Sequence, residues 1–170
     1  MVETALGPIT IEVEAARAPK TAANFLRYVD AGLYGGARFH RTVREGNQPN
    51  NKVKIDVVQA GRGDHPVPPD FPPVPLERTR ETGLRHVDGA VSMARDGPDT
   101  ATADFFICVG DQPELDFAGK RNPDGQGFAV FGRVVAGMDV VRRIHEAPAD
   151  GQALTPGIAI RSARRARPGR

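Results

Sequence analysis

Asp104-Phe105-Phe106-Ile107-Cys108-Val109 is an apolar run of strand length, closed by Gly110 and Asp111. A segment this short, rich in aromatic and β-branched side chains and bounded by turn residues, reads as a buried strand. Working outward, similar segments recur at 89–94 and 128–134, then at 53–59 and 37–43, separated by Gly, Pro, Asn or Asp. Residues 7–14 alternate, with Ile9, Ile11 and Val13 on one side and Thr10, Glu12 and Glu14 on the other, as in a half-buried strand. The last strand falls at 158–161. Two stretches have helical spacing instead. Pro19 can occupy a first helical turn, Ala22, Phe25, Leu26 and Val29 follow at i, i+3, i+4 and i+7, and Gly32 can end the run. Around 138–145, Met138, Val141 and Ile144 repeat in the same way. Many short strands with only two helices predict a mainly β protein. The expected architecture is a closed antiparallel β-barrel of about eight strands capped by the two α-helices, because closure removes exposed edges.

A chain of 170 residues is one domain long and can bury roughly 70% of its unfolded surface without staples. No repeat or linker divides it, so one domain is expected over 1–163, followed by a basic flexible tail at 164–170. Basic and acidic side chains number 23 and 21, and the excess gathers in Arg161, Arg164, Arg165, Arg167 and Arg170. That cluster reads as a solvated tail, since a nucleic-acid interface spreads its charge over a folded face with interleaved aromatics. Accordingly no nucleic-acid partner is expected. No apolar run approaches the ~20 residues that span a bilayer, and no apolar leader precedes the first strand. The composition and short layout look bacterial, with cytoplasm or periplasm as the expected compartment and a monomer as the expected state. The single cysteine, Cys108, cannot form an internal disulfide.

Most catalytic constellations are missing. The only serines, Ser92 and Ser162, lie outside any nucleophile-elbow pattern, and no phosphate-cradling glycine loop precedes a helix. His40, His65, His86 and His145 lack metal-ligand spacing, and Asn122-Pro123-Asp124-Gly125 lacks the acidic positions of a calcium loop. Neither metal nor cofactor is expected. Arg62-Gly63-Asp64 spells an adhesion tripeptide, but three-residue matches arise by chance.

Phe39-His40-Arg41, taken with Gln59, Ser92-Met93-Ala94, Gly97-Pro98 and Phe105-Phe106-Ile107-Cys108, forms an ordered set that strongly resembles the cyclophilins. The opening Leu6-Gly7-Pro8-Ile9, Ala18-Pro19-Lys20-Thr21, Asn24-Phe25 and Gly32-Leu33-Tyr34 fits as well, as do Val130-Phe131-Gly132-Arg133-Val134 and Gly137-Met138. The likeness runs from about residue 4 to residue 160. It implies a peptidyl-prolyl cis/trans isomerase that acts on proline-containing peptides or unfolded clients. By the resemblance, Arg41 is the catalytic arginine and Gln59 orients it. Phe106 forms the floor of a proline pocket with Val57 and Leu115 as walls, and Ala94 and Arg95 mark the strand end that binds peptide backbone. Taken alone, Arg41 is a surface arginine, Gln59 a polar strand residue, and Phe106, Val57 and Leu115 barrel core. His40 is given a structural role, because rotation abstracts no proton. Cys108 reads as core.

Several positions depart from the family pattern. Asp56 stands where a pocket phenylalanine is usual, Glu114 where many members carry tryptophan, Phe128 where histidine is common, and Asp104 where glutamine is usual. Loss of the tryptophan predicts weak cyclosporin binding, and Phe128 can supply apolar wall. A carboxylate beside a dry pocket must be solvated or paired, and this is expected of Asp56. Asp104 is expected to pair with Arg95 or Arg41, because acids that replace neutral groups near arginines often find them. The loops before Gln59 and Phe128 are long and are expected to border the active face. Asp56 and Glu114 favour a rival reading, a proline-peptide binding module or chaperone with little isomerase activity.

Overall fold

The computed structural model describes residues 1–166. Its strands are β1 (Val2–Thr4), β2 (Gly7–Val13), β3 (Arg38–Val43), β4 (Val57–Gly61), β5 (Ala90–Met93), β6 (Phe105–Cys108), β7 (Val130–Ala136), β8 (Ala149–Asp150) and β9 (Ala153–Ala163). The helices are α1 (Pro19–Asp30), α2 (Thr79–Thr82) and α3 (Met138–Glu146). The strands pair antiparallel in the order β1-β2-β7-β5-β6-β4-β3-β9, and β9 returns to β1. Eight strands therefore close into a barrel, with β8 added outside the ring as a hairpin arm of β9. This is the closed antiparallel barrel expected from the sequence.

Alternation decides which side chains fill it. Phe39, Val58, Ala60, Val91, Phe105, Ile107 and Phe131 are fully buried. Helix α1 sets Phe25 against Phe131 and Phe105, with ring centroids 4.9 and 5.5 Å apart. Its first turn lacks a local side-chain cap, and the Glu77 carboxylate supplies one from a distant loop, accepting the Thr21 N–H and hydroxyl at 2.6 Å each. Helix α3 packs Val140, Val141 and Ile144 against β2, β3 and β4.

The structure departs from the sequence reading at identifiable places. Tyr28, rather than Leu26, completes the buried face of α1, and its hydroxyl accepts the Phe71 N–H at 2.8 Å. Helix α2 is a single turn with no periodicity to announce it. The strand expected at 53–59 begins only at Val57, because the Gln48 amide takes the ladder's place at Ile55, donating to its carbonyl (2.8 Å) and accepting its N–H (3.2 Å). The final strand is eleven residues long despite Pro156 and Gly157. Its pairing with β3 jumps from Ile158 to Ala153, so these breakers sit in an irregular stretch that needs no ladder bonds. Strand β1 is too short to alternate visibly.

At the carboxyl end, Arg164 exchanges hydrogen bonds with Met1, and Arg165 forms a two-pronged ion pair with Asp30 at 2.7 and 2.8 Å. These two residues, assigned from sequence to the flexible tail, are held against the barrel. Arg167 and Arg170 lie outside the described residues.

Phe131 is the measure of this core. Truncating it to alanine should cost about 3–5 kcal/mol, read as a lower urea midpoint with an unchanged slope. A loss under about 1 kcal/mol would show that the barrel can collapse into the space.

Candidate active site

Strand register brings the site together. Arg41 on β3 lies directly opposite Gln59 on β4, Gln59 opposite Phe106 on β6, and Phe106 opposite Ser92 on β5. Directly paired residues point to the same face of a sheet, so these four form one lateral row across four strands. The row faces away from the barrel interior, which Val58, Ala60, Phe105 and Ile107 occupy. Over it lies a cavity of about 520 Å³.

Phe106 is nearly buried and meets Phe128 edge-on at 5.4 Å. Val57, Leu115, Ala94 and Ile55 add further apolar wall. Beneath, the His86 ring stacks on Phe106 at 5.9 Å with the planes 9° apart. His86 Nδ1 lies 2.8 Å from Asp116 Oδ1, and its Nε2 meets the Ser92 hydroxyl at 3.0 Å. With Nδ1–H donating to the carboxylate, Nε2 accepts the serine hydroxyl hydrogen. All three side chains are buried and satisfied, so they form a support and not an accessible nucleophile.

Arg41 is half-buried, and burial lowers its pKa. Its Nε and Nη2 both donate to Gln152 Oε1, at 2.9 and 2.7 Å, and its Nη1 donates to Gln59 Oε1 at 3.0 Å. Among the described residues, one N–H on each terminal nitrogen has no partner and no carboxylate lies within 4 Å of the guanidinium. Gln59 is held in turn. Its amide donates to Asp104 Oδ2 at 3.1 Å, and the same oxygen lies 3.2 Å from His40 Nε2. A carboxylate can only accept, so Asp104 compels the Gln59 amide to present its NH₂ to the acid and its oxygen to Arg41. Close packing fixes the acid's place, because a Cβ on Gly61 would come within 1.8 Å of Asp104 Oδ1.

Most residues singled out in the sequence line the cavity: Arg41, Gln59, Phe106, Val57, Leu115, Phe128, Ala94, Arg95 and Asp104. Three expectations are corrected. Asp104 does not pair with an arginine; its partners are Gln59 and His40, and Arg95 is taken by Asp124 at 2.9 and 3.1 Å and by the Gly127 carbonyl. Arg95 thereby clamps the 116–127 loop and lies over the Phe128 ring at 4.8 Å, its side chain spent inside the protein. Asp56 does not face the cavity. The period-2 alternation that turns Ile55, Val57 and Gln59 outward turns Asp56 the other way, 3.3 Å from His145 Nε2. Glu114 is also turned aside, its carboxylate accepting the Lys120 N–H at 2.7 Å.

Three lining or supporting residues had no sequence signal of their own. Gln152 reaches Arg41 from the β8–β9 turn across more than a hundred residues. Arg121 lies in the long loop before Phe128, and Ile55 precedes β4. Cys108 is buried and burial pushes its thiol pKa up, in keeping with a core role.

A closed eight-stranded barrel with an arginine beside an apolar hollow on its outer face is the architecture of the cyclophilins, and comparison with known proteins agrees. The model of the cyclophilin-type peptidyl-prolyl cis-trans isomerase family matches residues 1–165. The chain is 38% identical over 144 residues to a peptidyl-prolyl cis-trans isomerase of Streptomyces antibioticus, covering 84% of this chain and 80% of that protein. Isomerase B of Escherichia coli is 34% identical over 139 residues, covering 81% and 78%. A Cryptosporidium parvum cyclophilin-type isomerase, crystallised in the presence of the dipeptide Ala-Pro, superposes with a TM-score of 0.72 at 20% identity, over 98% of both chains. The chain belongs to the cyclophilin-type peptidyl-prolyl cis-trans isomerase family and is an enzyme of that class.

The support under Phe106 makes stability depend on pH. Burial lowers the pKa of His86 against the opposing pull of Asp116. Burial would raise Asp116, but the bonds from His86 and the nearby charges leave its carboxyl below the usual range. A depressed histidine pKa means that the unfolded chain binds the extra proton first. Stability is therefore intact above about pH 6.5 and falls as pH drops below it. Asp116 adds to the loss at still lower pH. Urea unfolding at about pH 7.5 and about pH 5 should show the lower midpoint in acid. Equal midpoints would mean that His86 is not held neutral.

Proposed function

We propose that Arg41 accelerates rotation about the Xaa-Pro bond by donating to the imide nitrogen of a proline whose ring sits against Phe106, Val57, Leu115 and Phe128. The bond before proline has partial double-bond character, with a barrier of about 18–20 kcal/mol. At the top of that barrier the imide is twisted, its nitrogen has recovered a lone pair, and its charge separation has decreased. An apolar hollow favours this less polar state, and a donor aimed at the nitrogen stabilises the new lone pair.

The observation that carries the reading is how Arg41 is held. Two neutral glutamine oxygens fix three of its five N–H groups and leave the charge uncompensated and two N–H groups unspent, on a side chain that lines the hollow. A carboxylate in place of either glutamine would compete for those donors and offset the charge. Gln59 and Gln152 act through Arg41 as positioning residues, and Asp104 acts through Gln59. The Ala-Pro dipeptide used with the Cryptosporidium parvum relative supports proline-containing peptides as ligands. The peptide-binding alternative drew on Asp56 and Glu114, and both carboxylates are engaged away from the hollow.

Exchange NMR on a proline tetrapeptide tests this directly. Arg41→Ala should lower kcat/KM by about 10²-fold or more while the far-UV circular dichroism of the barrel is retained. Full activity in that variant would remove Arg41 from the mechanism, and peptide binding without acceleration by the unaltered protein would make the chain a binding module. Gln152→Ala should loosen the guanidinium. About a tenfold loss is expected in kcat, with KM and the melting temperature little changed. A loss confined to KM would assign Gln152 to substrate binding instead.

A further inference from the structure

Arg121 is a second guanidinium in the same cavity. Its Nη1 donates to Gln48 Oε1 and to the Val53 carbonyl, both at 2.7 Å, which ties the 116–127 loop to the segment leading into β4. Its Nε and Nη2 have no partner, and no carboxylate lies within 4 Å of it among the described residues. Arg41 is likewise without an acid, whereas the third arginine of the cavity, Arg95, is neutralised by Asp124.

The cavity's own acids lie at its other end. Asp104 packs against Gly61 at the last residue of β4, and Asp96 lies two residues beyond Ala94, whose N–H donates to the Asp104 carbonyl. Arg121 is anchored at Val53 and Gln48, before the first residue of β4. The four steps of β4 alone separate these ends by about 13 Å. The cleft is therefore bipolar, with Arg121 at one end and Asp104 at the other, and Arg41 stands between them, one Gln59 amide away from Asp104.

We propose that the Arg121 end of the cleft is an anion subsite, which selects proline segments carrying a carboxylate next to the proline. This rests on the isomerase reading given above, since the proline must lie in the hollow for its neighbour to reach Arg121. Two partly buried like charges repel, and burial together with Arg41 lowers the Arg121 pKa. A bound carboxylate relieves that repulsion and takes up the unspent Nε and Nη2 donors as a charge-assisted pair. A lysine in the same place meets two cations.

The test uses N-acetylated, C-amidated tetrapeptides with Glu, Lys or Ala immediately before or after proline. A further peptide ends in a free α-carboxylate after the proline. Exchange NMR gives kcat/KM for the unaltered protein, Arg121→Gln and Arg121→Lys, at low and high salt. The Glu-to-Lys ratio at one of the two positions should be about tenfold in the unaltered protein, the effect of one charge-assisted hydrogen bond discounted for partial exposure. That ratio should shrink in high salt, approach unity in Arg121→Gln and be largely kept in Arg121→Lys. Because it is a ratio, general damage from unlatching the loop cancels.

Equal rates for Glu and Lys peptides in the unaltered protein, or a preference that survives in Arg121→Gln, would overturn the proposal. A free α-carboxylate preferred about tenfold over the Glu peptide would overturn selection of side chains and assign the subsite to chain ends. Failure of the isomerase reading looks different, with no peptide accelerated. Chemical-shift titrations of the same peptides then still read the charge preference, and equal affinities for Glu and Lys would overturn it.

Discussion

The pairing of Arg41 with Gln59, of Gln59 with Phe106 and of Phe106 with Ser92 is the constraint on which the site depends. Because side chains alternate with period two, a slip of one residue in any of these ladders would carry that strand's member of the row into the barrel. The register is held from inside. Val58, Ala60, Phe105 and Ile107 fill the interior only when their neighbours Gln59 and Phe106 face out, and a bulge in β3 between Phe39 and Arg41 lets buried Phe39 and outward-facing Arg41 stand two residues apart. The hydrophobic core thus selects the geometry of the polar face.

Electrostatics then divides the arginines of the cavity by role. Arg95 has all its donors taken by Asp124, Gly127 and Asp96, so it serves as a loop clamp. Arg41 meets only neutral oxygens and keeps its charge for whatever enters. The difference follows from partner type: a carboxylate neutralises a guanidinium, whereas an amide oxygen orients it. Asp104 sits one step further out, where it sets the amide of Gln59 without touching the arginine. Behind the hollow, the Asp116–His86–Ser92 chain gives Phe106 a flat and fully bonded backing, which limits how far the floor can shift.

Much of the fold could be read from the chain because its signals are local. The alternation at 7–14, the apolar runs around Phe105 and Phe131, and the helical stripes on α1 and α3 reflect burial on one face at a fixed period, and together they predict a barrel with two long helices. The elements that escaped notice were short or irregular. β1 and β8 have too few residues to show a period, α2 is one turn, and the breakers Pro156 and Gly157 hid the full length of β9. The boundary at Val57 was hidden for another reason, since a glutamine side chain from the preceding loop substitutes for the sheet at Ile55.

By itself, the sequence determined the barrel class, and its likeness to a known family pointed to Arg41, Gln59, Phe106 and the apolar walls, which the structure brings to one cavity. Only the tertiary structure decided what each polar group bonds. Asp56 and Asp104 are both carboxylates near the site in sequence, yet alternation turns one toward His145 while the other reaches Gln59. Gln152 and Arg121 become part of the site through contacts that span 111 and 73 residues of chain. Such contacts leave no trace in local pattern, because they arise only when closure of the barrel brings distant loops to one face.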